Sequence, residues 1–215
     1  MIDEEMREAE AKPLDGREVK GAAMRARLRA ATEEIIAEVG VEAASTVTIA
    51  QRAGVSRGAM LHHYPTRDDL IIDTARHFWQ RAKEVVAALA DDLGEGRVGV
   101  GAFIETLYDV VFRANALVTM LDLVVSGRSD TRIGLAVNEI LTDLFHAYED
   151  CGIRALSHRG VPPEVVRVQI TFIVSTLRGL RIQDNIEANE ARVQAVLRML
   201  TASIEHSIAA AAGEP

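Results

Sequence analysis

Between Ala53 and Thr66 the chain has no acidic side chain, and the same stretch sets Arg57, Gly58, Ala59, Leu61 and His62 within one short helical pattern. Met60 and Tyr64 lie four residues apart, so both can turn inward with Ile49 and Val55, leaving the other five at outward or end positions. A surface helix without a partner normally carries Glu and Lys at such positions. Small, basic and aromatic-polar side chains in an acid-free stretch suit a face that approaches a phosphate-lined groove. An ordinary helical hairpin lacking acids by chance would look the same, so the surrounding elements must decide.

Other chemistries find little support. Of the six histidines, His62 and His63 are adjacent and point about 100° apart on a helix, and His77, His146, His158 and His206 show no i,i+4 pairing or thiolate company. No metal site and no cofactor are expected. Gly94-x-Gly96-x-x-Gly99 formally matches a dinucleotide fingerprint but joins two helices and follows no strand, so it reads as a linker. There is no Gly-x-Ser-x-Gly elbow, Walker loop or Cys-His pairing, and the chain is not expected to be an enzyme. Cys151, the single cysteine, reads as a small packed side chain.

The elements around the acid-free stretch are all helical. Leu28, Ala31, Ile35 and Val39 recur at three- or four-residue steps before Gly40, predicting a first helix over about 22–39. Ser45 or Thr46 caps a second, Val47 to Ala53, with Ile49, Ala50 and Ala53 inward. Ala53-Gly54-Val55 is a hinge, and Ser56 caps a third helix ending at His63 or Tyr64. After Pro65-Thr66, Asp68 and Asp69 open a long helix that carries Leu70, Ile71, Phe78, Val85, Val86 and Leu89 to about Leu93. Two short helices on a hinge have a known physical use, since the second has the width of the DNA major groove. Further helices are expected near 99–114, 115–126, 130–151, 163–186 and 189–211.

Composition agrees with an all-α protein: 48% of the 215 residues are hydrophobic and only 4% aromatic, and Val and Ile fall at helical spacing. The net charge of −8 would oppose contact with nucleic acid if it were spread evenly. It is not: residues 1–16 are net −4, residues 17–81 net +2 and residues 82–215 net −6. Contact depends on the local field, so an acidic body is compatible with a basic head. The acidic start MIDEEMREAE lacks the pattern of a secretory signal, and no apolar run is long enough to span a bilayer. A cytoplasmic protein without membrane contact is expected.

The segment from about Ala22 to Arg81 resembles the N-terminal DNA-binding domain of TetR-family (tetracycline-repressor-like) transcriptional regulators. The resemblance rests on a first helix ending in Gly, on Thr46-Val47-x-Ile49-Ala50-x-x-Ala53-Gly54-Val55-Ser56-x-Gly58, and on His62-His63-Tyr64-Pro65-Thr66-Arg67-Asp68-Asp69-Leu70. It implies that Thr46, Thr48, His63 and Arg67 lie near DNA phosphates, and that Thr66 caps the long helix and offers its hydroxyl and free amides to a phosphate. Arg57 and His62 are expected at base edges, with Ser56, Gly58, Ala59 and Leu61 completing the DNA-facing set. Lys20, Arg25, Arg27 and Arg29 would give the first helix a phosphate-facing side. Ala59 and Leu61 stand where the family often has Thr and Tyr, which removes two hydroxyls and leaves contact with thymine methyl groups.

The body offers two purposes. Ile170, Phe172, Ile173, Val174, Leu177, Leu180 and Ile182, with Val193, Val196, Leu197, Leu200, Ile204 and Ile208, give more apolar surface than one bundle face usually needs. Two such helices per subunit could form a four-helix homodimer interface, as the resemblance also implies; the same residues could instead be internal core. Apolar and polar groups also mix over 99–151, where Phe103, Tyr108, Phe112, Arg113, Met120 and His146 are candidates for a small-molecule site.

The reading is an all-α protein with a flexible arm (1–19), a three-helix helix-turn-helix head (20–67, with the family-type unit over about 22–82 and the helix-turn-helix at 45–64) and a helical ligand-binding and dimerisation body (68–215). Its expected function is transcriptional regulation, more specifically repression of a palindromic operator on double-stranded DNA, relieved by a small-molecule effector. The alternative is a helical ligand-binding or interaction protein that has lost operator binding.

Overall fold

The computed structural model describes residues 16–113, 123–125 and 131–213. Met120 and most of the expected 115–126 helix lie outside the described residues, as do residues 1–15 of the expected arm. Among the described residues every regular element is helical. The helices are α1 (Gly16–Val39), α2 (Thr46–Arg52), α3 (Arg57–His63), α4 (Arg67–Gly94), α5 (Val100–Leu107), α6 (Arg132–Leu156), α7 (Pro163–Ile186) and α8 (Glu190–Ala212).

α1 starts six residues before the expected 22. Its first residues, Gly16 to Lys20, are exposed on all sides, so they leave no apolar period to read. Further on, Leu28, Ala31, Ile35 and Ile36 are buried against α2, α3 and α4. Val39, expected on that stripe, is 65% exposed because the helix ends there and a 3-10 turn at Val41–Ala43 takes over.

α4 is the spine of the molecule: its first turns pack on α1 and its length lies against α6. Ten of its 28 residues are buried, among them Leu70, Ile71, Phe78, Trp79 and Val86. At roughly 1.5–3 kcal/mol for each large apolar side chain removed from water, this stripe outweighs any single cap or ion pair in the fold. α6 continues to Leu156, five residues past the expected end, because Ala155 and Leu156 extend its buried face. Gly152 lies where α7 packs against α6; a Cβ there would meet Val166 Cγ1 at 3.0 Å and Ile170 Cδ1 at 3.1 Å.

α5 leaves the α-helical path at Tyr108–Phe112, a π-helical turn in which the Arg113 N–H donates to the Tyr108 carbonyl at 2.7 Å. Tyr108, Val111 and Phe112 face inward together, the i, i+3, i+4 spacing that an ordinary helix also buries, so periodicity does not mark the wider turn.

In α7 and α8, most of the apolar positions expected at an intersubunit face are core. Ile173, Val174, Leu177, Leu180, Val193, Leu197, Leu200, Ile204 and Ile208 are all buried within the single chain. Phe172 and Ile182 remain exposed, joined by Val168 and Ile186 on α7 and Met199 on α8.

Candidate nucleic-acid interface

Local chemistry fixes α2 and α3 at both ends. Ser45 caps α2, accepting from the Thr48 N–H at 3.1 Å, and Ser56 caps α3 by accepting from Ala59 at 3.1 Å. Between them, the Gly54 N–H donates to the Gln51 carbonyl at 3.0 Å and the Val55 N–H to that of Ala50 at 3.0 Å. This paired closure needs a left-handed residue, and Gly54 supplies it with φ at 63°. Arg27 of α1 covers the turn, its Nη2 donating to the Gly54 carbonyl at 3.4 Å.

Tertiary contacts then set the face of α3. Met60 is fully buried, and the buried Tyr64 donates its hydroxyl to Asp73 Oδ2 of α4 at 2.6 Å. Arg29 of α1 reaches the same oxygen at 3.0 Å, so one carboxylate joins three helices. Burial alone would push the Asp73 carboxyl up; the bonds from Tyr64 and Arg29 outweigh it and hold the group below the usual carboxylate range. Burial and the bond to Asp73 push the Tyr64 phenol up, so it stays a donor.

With that face turned inward, Ser56, Arg57, Gly58 and His62 stand exposed on α3 and Thr48 on α2. Thr46, Ala59 and His63 are half-buried, and the His62 and His63 rings meet edge-to-face at 5.4 Å. α1 enters beside them, since a Cβ at Gly21 would lie 4.0 Å from His63 Cε1. Lys20, Arg25 and Arg27 are exposed on α1. The result is a surface of cations, imidazoles and hydroxyls around a helix end, suited to phosphate and base-edge contact.

Four expected contributors are used elsewhere. Arg67 turns into the protein: its Nε donates to the Ala44 carbonyl at 2.8 Å and its Nη2 to that of Val41 at 2.5 Å, so it clasps the turn before α2. Thr66 does cap α4, but in a closed capping box, donating its hydroxyl to Asp69 Oδ2 at 2.7 Å while Asp69 also takes the Thr66 N–H at 3.0 Å. Asp68 and Asp69 therefore hold the place of an anion at this helix start. Arg29 is spent on Asp73, and Leu61 lies half-buried against the core instead of fully outward. Sequence reasoning missed Asp73 and Arg132. Asp73 had a signal, being acidic in the run Leu70-Ile71-Ile72-Asp73-Thr74-Ala75, where a buried partner is required. Arg132 of α6 pairs with Asp69 at 2.5 Å, a contact across 63 residues that no local pattern announces.

In the body, Phe103, Tyr108 and Phe112 are buried, and of the three Phe103 lines a cavity. Arg113 is held by Glu190 at 2.6 Å and stacks 5.5 Å from the Tyr108 ring centre. His146 is exposed on α6 and is not brought to them, since two residues of helix separate it from buried Leu144 and from buried Tyr148, turning it outward. A cavity of about 40 Å³ lies among α4, α5, α6, α7 and α8, lined by Val86, Ala90, Phe103, Tyr148, Cys151 and Ile173 among others. Among the described residues no group of three or more His, Cys, Asp or Glu is placed to hold a metal ion, and no helix is long and apolar enough to cross a membrane.

Comparison with known proteins places this geometry. Residues 28–74 match the family model described as bacterial regulatory proteins, tetR family. Over 183 residues, 83% of this chain and 93% of the relative, the chain is 26% identical to an uncharacterised helix-turn-helix-type transcriptional regulator of Mycobacterium tuberculosis. It is 25% identical to the helix-turn-helix-type transcriptional regulator BetI of Cronobacter sakazakii, over 85% of this chain and 89% of that one. The fold is that of a Mesorhizobium loti protein described as a TetR-family transcriptional regulator, with a TM-score of 0.70 at 15% identity over 89% of this chain and 98% of that one. A Rhodococcus transcriptional regulator gives 0.67 at 21% identity, over 89% and 99%.

Proposed function

We infer the mode of action of this chain from its membership of the TetR family of DNA-binding transcriptional regulators: it acts as a homodimeric repressor on a palindromic operator. The carrying observation is the exposed, acid-free face of α3, with Arg57 and His62 outward while Met60 and Tyr64 anchor it from behind. α3 is the reading helix, Thr46, Thr48 and His63 are its phosphate-side neighbours, and Lys20, Arg25 and Arg27 extend the same surface. Residues 20–67 form the head and 68–215 the body, with the boundary at the start of α4. The protein works in the cytoplasm and turns over no substrate.

The dimer reading is supported by Val168, Phe172, Ile182, Ile186 and Met199, which leave apolar side chains on the outer sides of α7 and α8. A groove of about 410 Å³ runs between these helices past Val168, Phe172, Ser203 and Ser207. A twofold axis there presents two copies of α3 together. They enter successive major grooves if they lie roughly 34–36 Å apart or a multiple of that distance, so the operator must be palindromic. An effector held in the body releases DNA by favouring another spacing, with α4 as the lever. The Arg132–Asp69 pair supports this route, because it ties the start of α6 to the start of α4 beside the head.

Selection of bound sequences from random duplex DNA tests the reading. A palindromic consensus is expected. No enrichment would instead point to a helical ligand-binding protein that has kept the head without operator recognition.

A further inference from the structure

The most buried paired arginines are matched to carboxylates: Arg29 to Asp73 at 3.0 Å and Arg181 to Asp184 at 3.4 Å. Arg178, on the same helix as Arg181, is the exception among the described residues. It is half-buried, its Nε is sealed from solvent without an acceptor as are those of Arg29 and Arg181, and, unlike theirs, its guanidinium has no acid paired to it, lying instead 5.8 Å from the centre of the Phe145 ring. Burial disfavours its charged form. One turn along α6 from Phe145, on the same face of that helix, the 95%-buried Tyr148 also ends in a hydroxyl without a partner.

Buried donors without acceptors are costly and rare, and an unpaired cation is the costliest of them. What these two lack is the same thing: oxygen acceptors carrying negative charge. A carboxylate fits a guanidinium with two parallel hydrogen bonds and accepts a phenol proton as well. Tyr148 also forms a wall of the apolar cavity, whose other sides include Phe103, Cys151 and Ile173 together with Val86 and Ala90 of α4. A molecule held by Arg178 and Tyr148 therefore has a largely apolar space beyond its charged end, with Gln169 and Cys151 as its other polar or polarisable neighbours. At about 40 Å³ the cavity has room for little more than a water, so a longer molecule enters as α4, α6 and α7 part.

We propose that the body binds an organic carboxylate, its charged end held by Arg178 and the Tyr148 hydroxyl and its apolar part in the cavity beside Tyr148. The proposal rests on the reading that this regulator answers to a small molecule, and it gives that molecule a charge: a cationic effector meets Arg178 with nothing to offset the repulsion.

Calorimetric titration of the whole protein without DNA tests it, using straight-chain carboxylates from hexanoate to dodecanoate beside the alcohols and trimethylammonium salts of equal chain length. At least one carboxylate binds, its alcohol binds about tenfold or more weakly, and its ammonium counterpart does not bind. Arg178→Gln weakens the carboxylate about tenfold or more while leaving the alcohol unchanged, and Tyr148→Phe, which keeps the ring, weakens it several-fold. No binding by any carboxylate, equal binding of carboxylate and alcohol, or an unchanged affinity in Arg178→Gln would overturn the proposal. The bound carboxylate is then added to the operator complex. Binding without release of DNA leaves the carboxylate site standing and removes the effector role instead.

Discussion

At the scale of single residues, the direction of a side chain decides what its charge can do. Arg57 is exposed on α3 with no acid on the same face, so Arg57→Ala is expected to weaken operator binding by about 5- to 150-fold while leaving the melting temperature unchanged. Equal affinity of variant and parent at fixed salt would remove it from the contact set. Arg67 is expected to behave in the opposite way. Its donors are held by the Ala44 and Val41 carbonyls, so Arg67→Ala removes both bonds, leaving Val41 only the Ala44 N–H, and costs about 1–3 kcal/mol of stability in denaturant unfolding. Asp73 sets a pH limit. Its folded carboxyl lies below the ordinary value of 3.8, so its contribution is complete above that value and disappears as pH falls through the lower folded one. Melting curves of the parent and Asp73→Asn should therefore differ most near neutrality and converge in acid. The inward pair Met60 and Tyr64 was legible from their four-residue spacing. The fate of Arg67 was not, because a long flexible side chain finds its carbonyls only after α1, α2 and α4 have assembled.

At the scale of elements, the helix ends were the readable part. Ser45, Ser56 and Thr66 were marked by residue type, and each makes the cap its type suggests. The turn between α2 and α3 depends on Gly54, whose positive φ strains any residue with a Cβ; a Cβ would also lie 2.7 Å from Arg27 Nη2 and displace that guanidinium from the turn. Gly54→Ala is expected to cost about 1–2 kcal/mol and to reduce operator affinity with it, as measured by thermal unfolding and binding of the same sample. An unchanged melting temperature would show that the turn can be rebuilt without its left-handed residue. The π-turn at Tyr108–Phe112 was not legible, since its residues fit an ordinary helix equally well and only packing against α7 selects the wider turn.

At the scale of the molecule, the all-helical fold was legible from periodicity. The partition of α7 and α8 was not. Helical spacing identifies an apolar stripe without saying whether its partner is the same chain or another, and here most of the stripe is internal. Phe172 is on the part that is not. Phe172→Glu, introducing a charge beside its own groove, is expected to yield monomers at micromolar concentration in sedimentation and to lower operator affinity by roughly 100-fold, since two heads no longer bind as one unit. A dimer that persists in this variant would move the interface elsewhere.

The inward turn of Arg29 and Arg67 also governs how the protein searches a genome. In the proposed dimer each copy keeps few cations for phosphate, chiefly Lys20, Arg25 and Arg27, so binding displaces on the order of six counterions and affinity follows salt with a slope of roughly −5. Sequence-neutral DNA then holds it only briefly at cellular salt. The acidic body adds to this by repelling neighbouring duplex, so excursions between segments are frequent and sliding runs are short. In the proposed mode of action, residence at the operator then depends on α3, and a molecule that disturbs the placement of α3 would free the protein into solution instead of onto the next stretch of DNA.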